Sequence, residues 1–246
     1  MNKWNIKKDM TEKMKVTEEL AVRFPSCCGR RLMLMTSFSF NDFSYLASLG
    51  KIDGDSFVYN VDNLAGNNDF ISENMLEGEK KIEAFERLWK QKASSICKKN
   101  GISMPSYELM FGDILSMPLR MISPDDPFAL VYADTCNIVS DKFFDWLFYD
   151  ETYHGIADDG VLAFTLTLNH KKINNIQEKI KDYSDKFAFY GAEYDDYDNM
   201  QHYQDRMNHL AYKIESTGQW VMDAMFHYCE KDRKSQMVSV ICKKAV

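Results

Sequence analysis

Residues 219–244 read QWVMDAMFHYC, EKDRKS, QMVSVICKK. Two runs rich in apolar, aromatic and β-branched residues flank a charged, turn-like segment, which is the pattern of an antiparallel hairpin. Working back from it, five more runs read as strands: RLMLMT (31–36), SFVYNVDN (56–63), SYELMFGDIL (106–115), PFALVYADTC (127–136) and DDGVLAFTLTL (158–168). The fourth is apolar almost throughout, as a strand buried on both faces requires.

Helical patterns separate these strands. Asn41 and Asp42 start a helix whose apolar face is Phe43, Leu46, Ala47 and Leu49, with Gly50 ending it. Residues 77–101 form a charged amphipathic helix with Ile82, Phe85, Leu88 or Trp89, and Ile96 inward. Ser140 and Asp141 begin another, DKFFDWLFYDETY. Ile173, Ile176, Ile180 and Tyr183 mark the next, and Met200, Met207, Leu210 and Ile214 one more. An N-terminal helix carrying Met10, Met14, Leu20, Ala21 and Phe24 stops at Pro25. Alternating strands and helices imply crossover connections and a parallel sheet. The expected fold is therefore α/β: a mostly parallel seven-stranded sheet, helices on both faces, and a C-terminal antiparallel hairpin.

At 246 residues, with 45% apolar composition, the chain can bury a full core. Its six cysteines lack a C-x-x-C pair, and its five histidines lack metal-ligand spacing, so reduced thiols in a cytoplasmic setting and no metal are expected. No apolar run is long enough to span a bilayer, so no membrane partner is expected. A net charge of −7 counts against a surface that grips duplex nucleic acid all over. Local charge is uneven. The first 31 residues carry eight Lys or Arg against four Asp or Glu, whereas YGAEYDDYDNMQHYQD (190–205) is acidic.

In order, these elements resemble the Rossmann-like fold of class I S-adenosylmethionine-dependent methyltransferases, whose seven-stranded sheet closes on a hairpin. YHGIADDGVLAFTLTL is similar to that family's approach to its fifth strand. The resemblance covers residues 31–246 as a methyltransferase-like Rossmann domain, with 1–30 as an N-terminal helical extension. It implies S-adenosylmethionine as cofactor and assigns residues by their place at strand ends. Asp62 would take the ribose hydroxyls; Asp113 would lie beside the adenine, with Ile114 as an apolar contact. Asp134 and Asn137 would be catalytic, orienting a methyl acceptor, for which nucleic acid or protein is implied. The alternative for each acid is local: aspartate at a strand end also caps the next turn.

The first loop departs from the family pattern. No glycine occurs from Met33 to Leu49, and Phe38 and Phe40 are expected to crowd the ligand space. Ser37, Ser39 and Asn41 can still donate hydrogen bonds to a carboxylate near a helix N-terminus. DTCN (134–137) lacks the prolines and the aromatic residue of amine methylases. Cys136 also lacks the preceding proline of base-carbon methylases, so it reads as a nucleophile or as a small buried thiol. Two functions follow: an atypical methyltransferase, of viral or mobile-element type, or a catalytically inactive methyltransferase-like fold acting as a binding or assembly protein.

Overall fold

The computed structural model describes residues 11–36, 40–62, 68–122, 125–138, 140–167, 181–190, 197–229 and 236–245. The elements are α1 (Thr11–Arg23), β1 (Arg31–Leu34), α2 (Asn41–Ser48), β2 (Phe57–Asp62), α3 (Asn68–Glu73), α4 (Lys81–Lys99), β3 (Ser106–Phe111), α5 (Leu119–Ile122), β4 (Phe128–Ile138), α6 (Asp141–Leu147), α7 (Asp150–Gly155), β5 (Ile156–Thr167), β6 (Phe187–Tyr190), α8 (Tyr197–Glu215), β7 (Trp220–Cys229) and β8 (Gln236–Lys244). One sheet joins all the strands in the order β3-β2-β1-β4-β5-β8-β7-β6. Neighbouring strands are parallel from β3 to β5, and β8 is antiparallel to both β5 and β7. The expected α/β architecture and the terminal hairpin are both present.

The sheet has eight strands, not seven. The extra one, β6, comprises Phe187, Ala188, Phe189 and Tyr190, and pairs in parallel with Met225–Tyr228 of β7. Four half-buried residues at a sheet edge give no alternating signature, so this strand was not expected.

Strand alternation sends successive side chains to opposite faces, and helices bury both. Leu32, Leu34, Leu130 and Tyr132 point toward α1, α2 and α4; Met33, Val131, Ala133 and Leu162 point toward α6 and α8. On α4 the side chains of Phe85, Leu88, Trp89 and Ile96 are buried as expected, but Ile82 is exposed on its first turn. The helix expected from Asp141 breaks into α6 and α7, because Phe148 ends the first and Tyr149 is extended. Ser140 caps α6 by accepting from Phe143 N–H at 3.3 Å. Of the helix expected at 173–183 only 181–183 are described; they are non-helical, and Tyr183 is buried.

α1 is laid along the sheet. Val16, Leu20 and Phe24 join the core over β1, β4 and β7, and Phe24 meets the Tyr132 ring at 5.7 Å. Lys51 donates its ammonium to the carbonyls of Val22 and Phe24, matching a cation to the negative end of the helix. The opposite end of α1 therefore lies at the carboxyl edge of the sheet, where β1 to β5 all terminate.

Candidate functional site

Strand order reverses between β1 and β4, since β1 continues to β2 on one side while β4 continues to β5 on the other. Open parallel sheets form a crevice at such a point, outside the strand carboxyl ends. Here Lys13, Thr17, Met35, Asn41, Asp42, Tyr132 and Asp134 surround a cavity of about 20 Å³, room for about one water molecule. Lys13 of α1 closes it by pairing with Asp134 at 2.7 Å.

Phe40, the residue before α2, has φ 55°, the left-handed conformation that glycine usually fills. Its ring does not crowd the crevice as expected. It is fully buried against Phe43 and Trp89, with centroids 6.1 and 5.7 Å away. A non-glycine residue in this conformation costs about 1–2 kcal/mol, and burying a phenylalanine ring contributes about 1.5–3 kcal/mol. Burial of the ring offsets that strain. Ser37, Phe38 and Ser39 lie outside the described residues. Asn41 begins α2 and lines the small cavity.

Beside Asn41, Asp42 is the acid that sequence reasoning read only as a helix start. It is buried; its Oδ2 accepts from Thr36 Oγ1 at 2.9 Å and its Oδ1 from Phe43 N–H at 2.9 Å. Burial pushes its carboxyl up to about 6; the two hydrogen bonds and Lys13 oppose the rise, and nearby Asp134 adds to it. Thr36 N–H donates to Asn60 Oδ1 at 2.9 Å, tying β1 to β2 next to this acid. Beneath α1 a buried hydroxyl chain crosses the sheet, from Tyr132 to Thr165 at 3.3 Å and on to Ser239 at 2.8 Å. Only Asp42's place directly after Asn41 at the end of the first loop hinted at its position.

The acids expected at strand ends occupy the same edge but differ in surroundings. Asp62 closes β2, is 7% exposed, and its carbonyl accepts from Gly112 N–H at 3.1 Å. Asp113 caps the short turn Ile114–Ser116 through Leu115 N–H at 3.0 Å, and its other oxygen binds Lys142 Nζ at 2.5 Å. Both local and ligand readings of that residue thus have a carboxylate at the rim, already engaged. Ile114 is wholly buried in the core, and its side chain offers no open surface. Past the turn, a cavity of about 360 Å³ opens between Leu115–Pro118 and Lys142, Asp145, Trp146 and Tyr149. That volume falls in the range of small-molecule sites.

Asp134 and Asn137 flank an irregularity. Asp134 pairs with Thr165 and Asn137 with Leu166, so β4 carries two extra residues, Thr135 and Cys136, against β5. Bulges of this kind re-aim side chains next to functional sites. The side chains of residues 135–139 lie outside the description. Among the described residues no cluster of three metal-ligating side chains occurs, and no helix is long and apolar enough to cross a membrane.

No family model and no curated protein matches the chain. Solved structures do. A provisionally assigned SAM-dependent methyltransferase from Streptococcus mutans superposes with TM-score 0.49 at 8% identity, over 94% of this chain and 48% of that one. NSun6 from Pyrococcus horikoshii gives 0.42 at 8% identity, over 95% and 52%. An rRNA methylase from Streptococcus thermophilus gives 0.44 at 13% identity, over 98% and 99%. The chain spans about half the length of the first two. Each of these is a likeness of fold alone, at 13% identity or less.

Proposed function

We propose that the chain is an S-adenosylmethionine-dependent methyltransferase of atypical loop chemistry, with residues 1–30 an N-terminal extension to a methyltransferase-like domain at 31–246. The observation that carries this reading is the set of carboxylates Asp62 at the end of β2, Asp113 just past β3 and Asp134 in the C-terminal half of β4, on both sides of the strand-order reversal. The left-handed backbone at Phe40, with its ring withdrawn into the core, supports it as well. S-adenosylmethionine supplies an electrophilic methyl group on sulfur. Toward it, Asp62 would accept two ribose hydroxyls, a charge-assisted pairing stronger than a neutral one. Asp113 would face the adenine, and Ser37, Ser39 and Asn41 the methionyl carboxylate. Asp134 and Asn137 would hold the acceptor in line, so positioning provides much of the acceleration. The acceptor we favour is nucleic acid, reached through a local contact since the net charge of −7 opposes broad binding.

The second reading, a binding or assembly protein without catalysis, is favoured by one observation. The Lys13–Asp134 pair leaves a crevice of only about 20 Å³ where the methionyl end would lie. Titration calorimetry with S-adenosylhomocysteine separates the two. Saturable binding that Asp62→Ala weakens by about tenfold or more supports the methyltransferase reading. No heat and no thermal shift at millimolar ligand leaves the binding-protein reading.

A further inference from the structure

On the face of the sheet covered by α8, three polar side chains interrupt an apolar layer. Arg206 is 4% exposed, Tyr203 8% and His227 0%. Tyr203 and Arg206 are three residues apart on α8 and so share a face of the helix. The Tyr203 ring stacks on the His227 imidazole of β7, centroids 4.6 Å apart. Around them lie Met207, Leu210 and Val238.

Arg206 has no counter-ion among the described residues. Its Nε and Nη1 are buried with no hydrogen-bond partner. The two acids of α8 whose side chains are described are engaged elsewhere: Asp205 is exposed and accepts from Gln201, while Glu215 binds Tyr183 and Met222 N–H at the far end of the helix. Burial lowers the proton affinity of Arg206, yet a guanidinium in a protein stays charged. Burial, aided by that charge, also pushes His227 down to about 3 and keeps its imidazole neutral. An isolated buried cation is unfavourable unless an anion accompanies it. Native proteins leave few such groups unmatched, and a planar guanidinium suits phosphate.

We infer that Arg206, flanked by Tyr203 and His227, is a binding site for a phosphate-type oxyanion, either free phosphate or the terminal phosphate of a nucleotide. The site is separate from the Asp62–Asp134 rim and does not depend on methyl transfer. Arg206 provides the charge, with the stacked Tyr203 and His227 rings beside it. A tetrahedral anion has enough acceptor oxygens for several donors at once, whereas a carboxylate has two.

Thermal unfolding of the full chain tests this in about 20 mM phosphate, a nucleoside 5′-monophosphate or acetate, against chloride of equal ionic strength. The wild type is expected to gain about 3 °C or more with phosphate, and Arg206→Met to lose that gain. A larger gain with the monophosphate assigns the nucleotide as the source, and an equal gain assigns the free ion. The inference is overturned if the wild type shows no gain, if acetate gives as much, or if Arg206→Met keeps it. Should that variant not fold, Arg206→Lys identifies the Arg206 Nε–H resonance by its disappearance. Movement of that signal in the wild type on adding phosphate then supports the site, and a fixed signal overturns it.

Discussion

Phe40 and Asp42 stand two residues apart and set opposite demands on the same loop. Phe40 holds positive φ with its ring in the core. Replacing it with alanine removes the ring and keeps the strain, whereas glycine removes both. Phe40→Ala is therefore expected to cost about 3–4 kcal/mol, and Phe40→Gly about 1 kcal/mol less, by urea unfolding. The opposite order would mean that the left-handed turn does not matter. Asp42 is held protonated to about pH 6 by burial, against an ordinary value of 3.8. Its folded form thus binds a proton more tightly than its unfolded form. The resulting stability is fully present below pH 3.8 and is lost as pH rises through about 6, on the order of 2–3 kcal/mol. Asp42→Asn should flatten that part of the urea-midpoint profile between pH 4 and 6. A profile unchanged by the substitution would show that another group titrates there.

Among the elements, α1 has the largest effect on the site. Its inner side chains are core residues, and its first turns bring Lys13 onto Asp134. Both partners are largely buried, at 21% and 16% side-chain exposure, so the pair should exceed a surface ion pair in strength. A double-mutant cycle of Lys13→Ala and Asp134→Asn is expected to give a coupling energy of about 1 kcal/mol. Simple additivity would show that the pair does not hold the helix end in place. This contact was not legible in the sequence, because its members are far apart in the chain and Lys13 reads as ordinary surface charge. The helix itself was legible, since Leu20, Ala21 and Phe24 repeat at helical spacing before Pro25. The two-residue irregularity in β4 was not, because residue pattern does not report where a strand ladder slips by an extra residue.

For the whole molecule, the hairpin at 219–244 and the alternation before it were enough to give the α/β class and the antiparallel end of the sheet. What the pattern missed was local and weak: β6 at the edge, the break between α6 and α7, and the inward turn of Phe40. Hydrophobic period reports which face is buried, and it does not report backbone dihedrals or edge pairings. At the candidate site, strand ends placed the acids toward the carboxyl edge of the sheet, but the partners of Asp134 and Asp113, Lys13 and Lys142, depend on tertiary packing. The same packing makes the central claim open to one direct test. In a crystal structure of the full chain grown with millimolar S-adenosylhomocysteine, the ligand is expected over the carboxyl ends of β1 to β3. Its ribose should lie on Asp62, and Lys13 should be drawn away from Asp134. A chain free of ligand with Lys13 still on Asp134, or a ligand bound away from Asp62, would contradict the account.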